Sequence, residues 1–206
     1  MAKITKLETQ KKDKSRVNLY LDDEFFCGLS MDTVVKHCFA IGQEIDDEHL
    51  KNIIYESEKI TLFNKCLDYI GSSYKTTKQV RDYLKRKEYD DELIKVTIEK
   101  LKEYKILNDD NFAEMYVSTY KNKYGNNMLR KKLFEKGIGK DIVDKYLEEN
   151  KADEEIVYNL ALKKLGQKLA TYDNMSKILR FLSGRGWDYD TSNKIIKKIM
   201  EDRGEE

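Results

Sequence analysis

At 206 residues and 24.4 kDa the chain is long enough for one large domain or two modest ones. Its 39 basic and 38 acidic residues leave a net charge of +1, which argues against coating nucleic acid by charge alone, and 40% hydrophobic residues with 14 Tyr and 7 Phe exclude a disordered chain. No apolar run reaches the length of a membrane span, and the absence of proline leaves long helices joined by short Gly, Asn or Asp turns as the expected architecture. In chain order, Ile4–Gln10 and Arg16–Leu21 read as extended, the second alternating Val17, Leu19 and Leu21 against Asn18 and Tyr20. Asp22-Asp23-Glu24 turns the chain into Phe25–Leu29, giving a small antiparallel sheet of two or three strands. Ser30 caps a helix carrying Val34, Val35, Cys38 and Phe39 that Gly42 ends, and Asp46 or Asp47 caps another through His49, Leu50, Ile53 and Ile54.

From about residue 58 the pattern is helical throughout and repeats itself. A shift of 49 residues, without gaps, superposes Leu84, Leu133 and Leu182; Val80, Leu129 and Ile178; Tyr89, Ile138 and Trp187; Ile98, Leu147 and Ile196; and Phe63, Phe112 and Ala161. The chain therefore divides into an N-terminal segment, 1–57, and three tandem units, 58–106, 107–155 and 156–206. Each unit reads as three helices. In the second, Asn108–Asn111 caps a helix carrying Phe112, Met115, Tyr116 and Thr119 that Gly125 breaks. Met128, Leu129 and Leu133 follow before Gly137 and Gly139, then Ile142, Val143, Tyr146 and Leu147. A three-helix unit of this size is near the lower limit for a core of its own, so the units are expected to pack on one another. The expected fold is mainly α: an elongated, curved array of three three-helix repeats, preceded by a small antiparallel sheet and one or two helices.

Nothing in the chain reads as catalytic machinery. GxSxG, GxxxxGK[ST] and GxGxxG are missing, and His37 and His49 stand without a nucleophile signature or a metal-ligand spacing, so neither an enzyme nor a metal or cofactor site is expected. Cys27, Cys38 and Cys66 form an odd set behind a polar, basic N-terminus, which suits a soluble, reduced, cytoplasmic protein. Charge is segregated: Lys75, Lys78, Arg81, Lys85, Arg86 and Lys87 gather around the second helix of the first unit, and Lys121, Lys123, Arg130, Lys131, Lys132 and Lys136 around that of the second. Such runs are solvated faces or contacts to an acidic surface or phosphates. Tyr120 and Tyr124, interleaved with Lys121 and Lys123, are placed either to close a core or to stack on bases, and Trp187 falls in an apolar column that favours core packing.

The middle unit carries a family resemblance. Ile106-Leu107-Asn108-Asp109-Asp110-Asn111-Phe112-Ala113-Glu114-Met115-Tyr116, then Tyr124-Gly125, then Leu129-Arg130-Lys131-Lys132-Leu133-Phe134-Glu135-Lys136-Gly137-Ile138, resembles the RecX family of recombination regulators. The likeness extends over the whole chain, because three tandem units behind an N-terminal sheet are similar to the longer, Gram-positive type of that family. Lysine stands at Lys121 and Lys123 where family members often carry arginine, which keeps the charge but loses the bidentate fork. The resemblance implies a non-enzymatic, monomeric modulator. It would bind the RecA recombinase and its DNA filament and chiefly inhibit recombinase, ATPase and co-protease activity in DNA repair, recombination and the SOS response, with at most weak direct contact to DNA and none to membranes. Carried over by position, Lys121, Lys123, Arg130, Lys131 and Lys132, then Lys85 and Arg86, are the expected contacts to partner or DNA. The alternative is a helical-repeat module that coats nucleic acid without RecA.

Overall fold

The computed structural model describes residues 1–11, 13–148, 150–151 and 153–203, which form two compact units, Met1–Ser72 and Ser73–Glu206.

In the first unit, β1 (Ala2–Thr9), β2 (Arg16–Leu21), β3 (Glu24–Ser30) and β4 (Glu44–Ile45) make an antiparallel sheet in the order β3-β2-β1-β4. Alternation along β2 sends Val17, Leu19 and Leu21 inward, as the sequence suggests. Asp22 and Asp23, with φ of 48° and 70°, form the two-residue turn between β2 and β3, a geometry whose twist matches that of the flanking strands. The fourth strand is one more than the sequence indicates. It has two residues, too short to show a period, and is defined only by pairing Ala2 with Ile45 and Lys3 with Glu44.

Ser30 caps α1 (Met31–Lys36) as expected, but the helix stops well before Gly42. Cys38 takes φ of 51°, its N–H donates to the Val35 carbonyl and that of Phe39 to the Val34 carbonyl, which closes the helix by a Schellman motif without glycine. The reversal buries Phe39 with Ile4, Leu19, Leu29, Ile45, Leu50 and Ile53. The long α2 (Asp47–Gly71), capped by Asp46, then runs without interruption. Residues 57 and 58, the expected segment boundary, lie inside it: no glycine or proline interrupts residues 47–70, and Ser57 is buried, its hydroxyl satisfied by a 2.7 Å hydrogen bond with the Thr33 hydroxyl.

The second unit holds α3 (Thr77–Lys85), α4 (Asp91–Glu103), α5 (Asp109–Tyr120), α6 (Asn126–Glu135), α7 (Lys140–Glu148), α8 (Glu154–Leu165), α9 (Tyr172–Gly184) and α10 (Tyr189–Arg203). Helices α5–α7 and α8–α10 are three-helix repeats, each with its own apolar cluster, and α3 and α4 are the matching pair of the first repeat. The 49-residue columns have a stereochemical origin. Helices α3, α6 and α9 each end in a left-handed residue at the same register position, Glu88 (φ 60°), Gly137 (φ 83°) and Gly186 (φ 85°). Beyond it the N–H of Tyr89, Ile138 or Trp187 donates back to the carbonyl of Leu84, Leu133 or Leu182. A Schellman motif brings those two residues into apolar contact, so two of the five columns are the two sides of one repeated helix end. All three leucines are fully buried, and Trp187 is a core residue of the third repeat.

Candidate partner-binding face

Helix α6 has Gly125 at its N-cap and packs through Leu129 and Leu133, both at 0% exposure. That anchorage sends the basic residues of α6 in different directions, since successive helical residues are about 100° apart. Lys131 lies on the exposed side with Asn127 and Phe134, around a shallow depression that also touches Arg130. Lys132 turns toward the segment between α5 and α6, its ammonium 5.1 Å from the centre of the Tyr124 ring. Arg130 is half-buried and pairs with Asp144 of α7, bracing the repeat.

Along α5 and into the turn that follows it, Phe112, Tyr116, Tyr120 and Tyr124 come every fourth residue and form a ladder with ring centres 5.9, 4.6 and 6.1 Å apart. Phe112 is buried in the core of the second repeat and the three tyrosines are half-buried against it; Phe112 and Tyr116 are stacked, and the next two pairs are tilted by 44° and 37°. Tyr120 and Tyr124 therefore pack against the core of the second repeat while remaining partly exposed. Lysines cover the outer side: Lys123 is 5.3 Å from the Tyr124 ring, and Lys136 is 5.5 Å from Tyr116 and 5.8 Å from Phe112. Each such contact contributes about 0.5–1 kcal/mol at exposed sites, enough to bias where a long side chain rests.

Lys132 and Lys136 meet Lys78 of α3 across a cleft of about 370 Å³, lined also by Gln79, Asp82, Tyr116 and Glu135. Burial, then the neighbouring Tyr120, Tyr124 and Glu135, push the Tyr116 phenol above its ordinary value, so it stays a hydrogen-bond donor at neutral pH. Three ammonium groups and a phenol give the cleft donors for a carboxylate or phosphate, with Asp82 and Glu135 moderating its charge.

The remaining expected contacts are dispersed. Lys121 is the exposed C-cap of α5. Lys85 is held by Asp91 at 2.9 Å, and Arg86, at the end of α3, donates to the Asp82 carbonyl at 3.3 Å. Of the expected residues, the structure brings Lys132 and Lys123 together around Tyr124, while Lys131, Lys121, Lys85 and Arg86 point elsewhere. Lys78, Lys136 and Tyr116 line the cleft and are not among the contacts expected from sequence. The four-residue spacing of the aromatic ladder was the available signal for Tyr116; the cleft itself needs α3 and α6 side by side.

Among the described residues no helix is long and apolar enough to cross a membrane, and no cluster of three or more His, Cys, Asp or Glu is placed to hold a metal.

Three family models match: the RecX N-terminal domain over residues 2–46, the first RecX three-helix domain over 63–101 and the second over 108–147. A regulatory protein RecX of Clostridium beijerinckii is 35% identical over 208 residues, covering 97% of each chain, and that of Bacillus subtilis is 34% identical over 209 residues, covering 98% of this chain and 79% of the other. Among solved structures, a crystal structure of regulatory protein RecX aligns with TM-score 0.70 and 25% identity over 96% of this chain and 100% of that one. RecX from Lactobacillus salivarius aligns with TM-score 0.63 and 28% identity over 68% of this chain and 96% of that one. On sequence, domain order and fold, this chain belongs to the RecX family of regulatory proteins.

Proposed function

We propose that this chain is a cytoplasmic, monomeric regulator that binds the RecA recombinase on its DNA filament and holds down strand exchange, ATP hydrolysis and repressor co-cleavage. Membership of the RecX family supplies the partner. The observation that carries the reading is the lysine cleft of Lys78, Lys132 and Lys136 at the boundary between repeats, with Lys123 beside it, in a chain whose net charge is only +1. A few ordered ammonium groups suit local docking on carboxylates or phosphates of a protein–DNA filament better than continuous wrapping of bare DNA, and tandem repeats add such weak contacts through effective concentration. Lys121, Lys131, Lys85 and Arg86 are outlying contacts in this reading.

The test is RecA ATPase on single-stranded DNA with the protein added at near-stoichiometric ratios, beside a titration of bare DNA. Suppressed ATPase with weak bare-DNA binding is expected. Unchanged ATPase, with tight bare-DNA binding that falls steeply with salt, would instead identify a nucleic-acid-coating module, a reading that the exposed Lys121, Lys123 and Lys131 favour.

A further inference from the structure

Helix packing in the second unit is densest within each repeat, and successive repeats meet at thin joints. The two joints occupy the same place in the 49-residue register. In the first, the Thr76 hydroxyl donates to the Lys136 carbonyl at 2.7 Å; in the second, the Gly125 N–H donates to the Arg185 carbonyl at 3.0 Å. Residues 76 and 136 are the register equivalents of 125 and 185, so one mode of docking is used twice: the closing turn of a second helix rests on the start of the second helix before it.

The chemistry of the two joints differs. The first is completed by the Lys78 ammonium on the Glu135 carbonyl at 3.2 Å and by the Thr77 N–H on the Asp109 carboxylate at 2.7 Å. Each of these bonds ends on a side chain, one of them a four-carbon lysine stem that follows movement by changing rotamer. The second is a main-chain ladder, in which the Asn127 N–H also donates to the Gly186 carbonyl at 3.2 Å and the Arg185 guanidinium reaches the Lys123 carbonyl at 3.3 Å. Backbone there lies on backbone. A Cβ at Gly125 would stand 2.3 Å from the Gly186 oxygen, and one at Gly186 would stand 2.2 Å from the Met128 nitrogen. At the first joint a Cβ on Gly137 would stand 2.5 Å from the Lys78 Cβ and 2.6 Å from its Cδ, so the nearest atoms there belong to a side chain rather than to the main chain.

We infer that the joint between the second and third repeats is rigid and that the array bends at the joint between the first and second. A bond between two main-chain groups puts no side-chain torsion into a joint, whereas a bond that ends on a side chain leaves that side chain's rotatable torsions as play between the two helix ends. The bending joint is also where Lys78 faces Lys132 and Lys136, so bending opens or narrows that cleft around whatever it grips. This inference does not depend on the partner being RecA.

Spin labels at Glu92, Asp141 and Asp190 test it. These exposed residues are register equivalents on α4, α7 and α10, so the pair 92/141 spans the first joint and the pair 141/190 the second in matched settings. Labels are introduced by Glu92→Cys, Asp141→Cys and Asp190→Cys in the full chain carrying Cys27→Ser, Cys38→Ser and Cys66→Ala. Pulsed electron paramagnetic resonance is expected to give a broad distance distribution for 92/141 and a narrow one for 141/190. Asn127→Pro, which removes one main-chain donor of the second joint within the first turn of α6, is expected to broaden 141/190 while circular dichroism stays unchanged. Thr76→Val is expected to broaden 92/141 further. Equal widths for the two unmodified pairs, or a broader 141/190, would overturn the inference.

Discussion

Leu133 shows how much one side chain can carry. It is fully buried, belongs to the core of the second repeat and supplies the carbonyl that receives the Ile138 N–H in the Schellman turn. Leu133→Ala is expected to destabilise the protein by about 2–5 kcal/mol in denaturant unfolding, since truncation leaves a cavity that the turn prevents from collapsing. Glu88 is the opposite case, a non-glycine residue at φ 60° where the two equivalent positions carry glycine. The left-handed conformation costs an L-residue roughly 1–2 kcal/mol, so Glu88→Gly is expected to raise the melting temperature despite the added freedom of the unfolded chain; an unchanged or lower midpoint would show that the Glu88 side chain has offsetting contacts. Burial pushes the Cys66 thiol up to about 11 from an ordinary 9.0. A pKa raised in the folded state means that its contribution to stability is complete below pH 9 and is lost as pH rises through about 11. The stability gap between the native protein and Cys66→Ala is therefore expected to narrow from pH 9 to 11, and a constant gap would exclude the linkage.

Among the elements, α6 determines how the expected contact residues are used. The run Arg130-Lys131-Lys132 looks like a single basic patch in sequence, yet the helix sends one residue to Asp144, one outward and one over Tyr124. Charge reversal should separate them. Lys132→Glu combined with Lys136→Glu is expected to weaken inhibition of RecA ATPase about tenfold, equivalent to about 1.4 kcal/mol, while Lys131→Glu has a smaller effect and all three changes leave the helical circular dichroism intact. A larger effect from Lys131→Glu would move the contact to the outer face of α6. Periodicity shows which side of a helix is buried, here Leu129 and Leu133. It does not show which neighbour stands beside the remaining sides, so Lys136 and Lys78 could not be paired from spacing alone. The early end of α1 and the two-residue β4 escaped for a related reason, because each is defined by main-chain bonds that any residue can make.

At the scale of the whole molecule, near-neutral charge and separate basic clusters predict a contact that salt can weaken. Exposed lysines are screened within a Debye length of about 8 Å at physiological ionic strength, so inhibition of the filament is expected to decline as salt rises. Salt-independent inhibition would direct attention to exposed apolar residues such as Phe134 instead. The missing prolines, the cap residues and the 49-residue register determined by themselves that the chain beyond its N-terminal strands is mainly helical with Leu84, Leu133 and Leu182 inside, because burial periodicity and helix-end chemistry are written in side chains. The tertiary structure alone decided that α2 is continuous, that Lys78 faces Lys132 and Lys136, and that the two joints are built differently. Those features depend on where one helix end meets another, and at the second joint the groups that meet are an amide and a carbonyl, which leave almost no trace in the sequence beyond the glycines that let them approach.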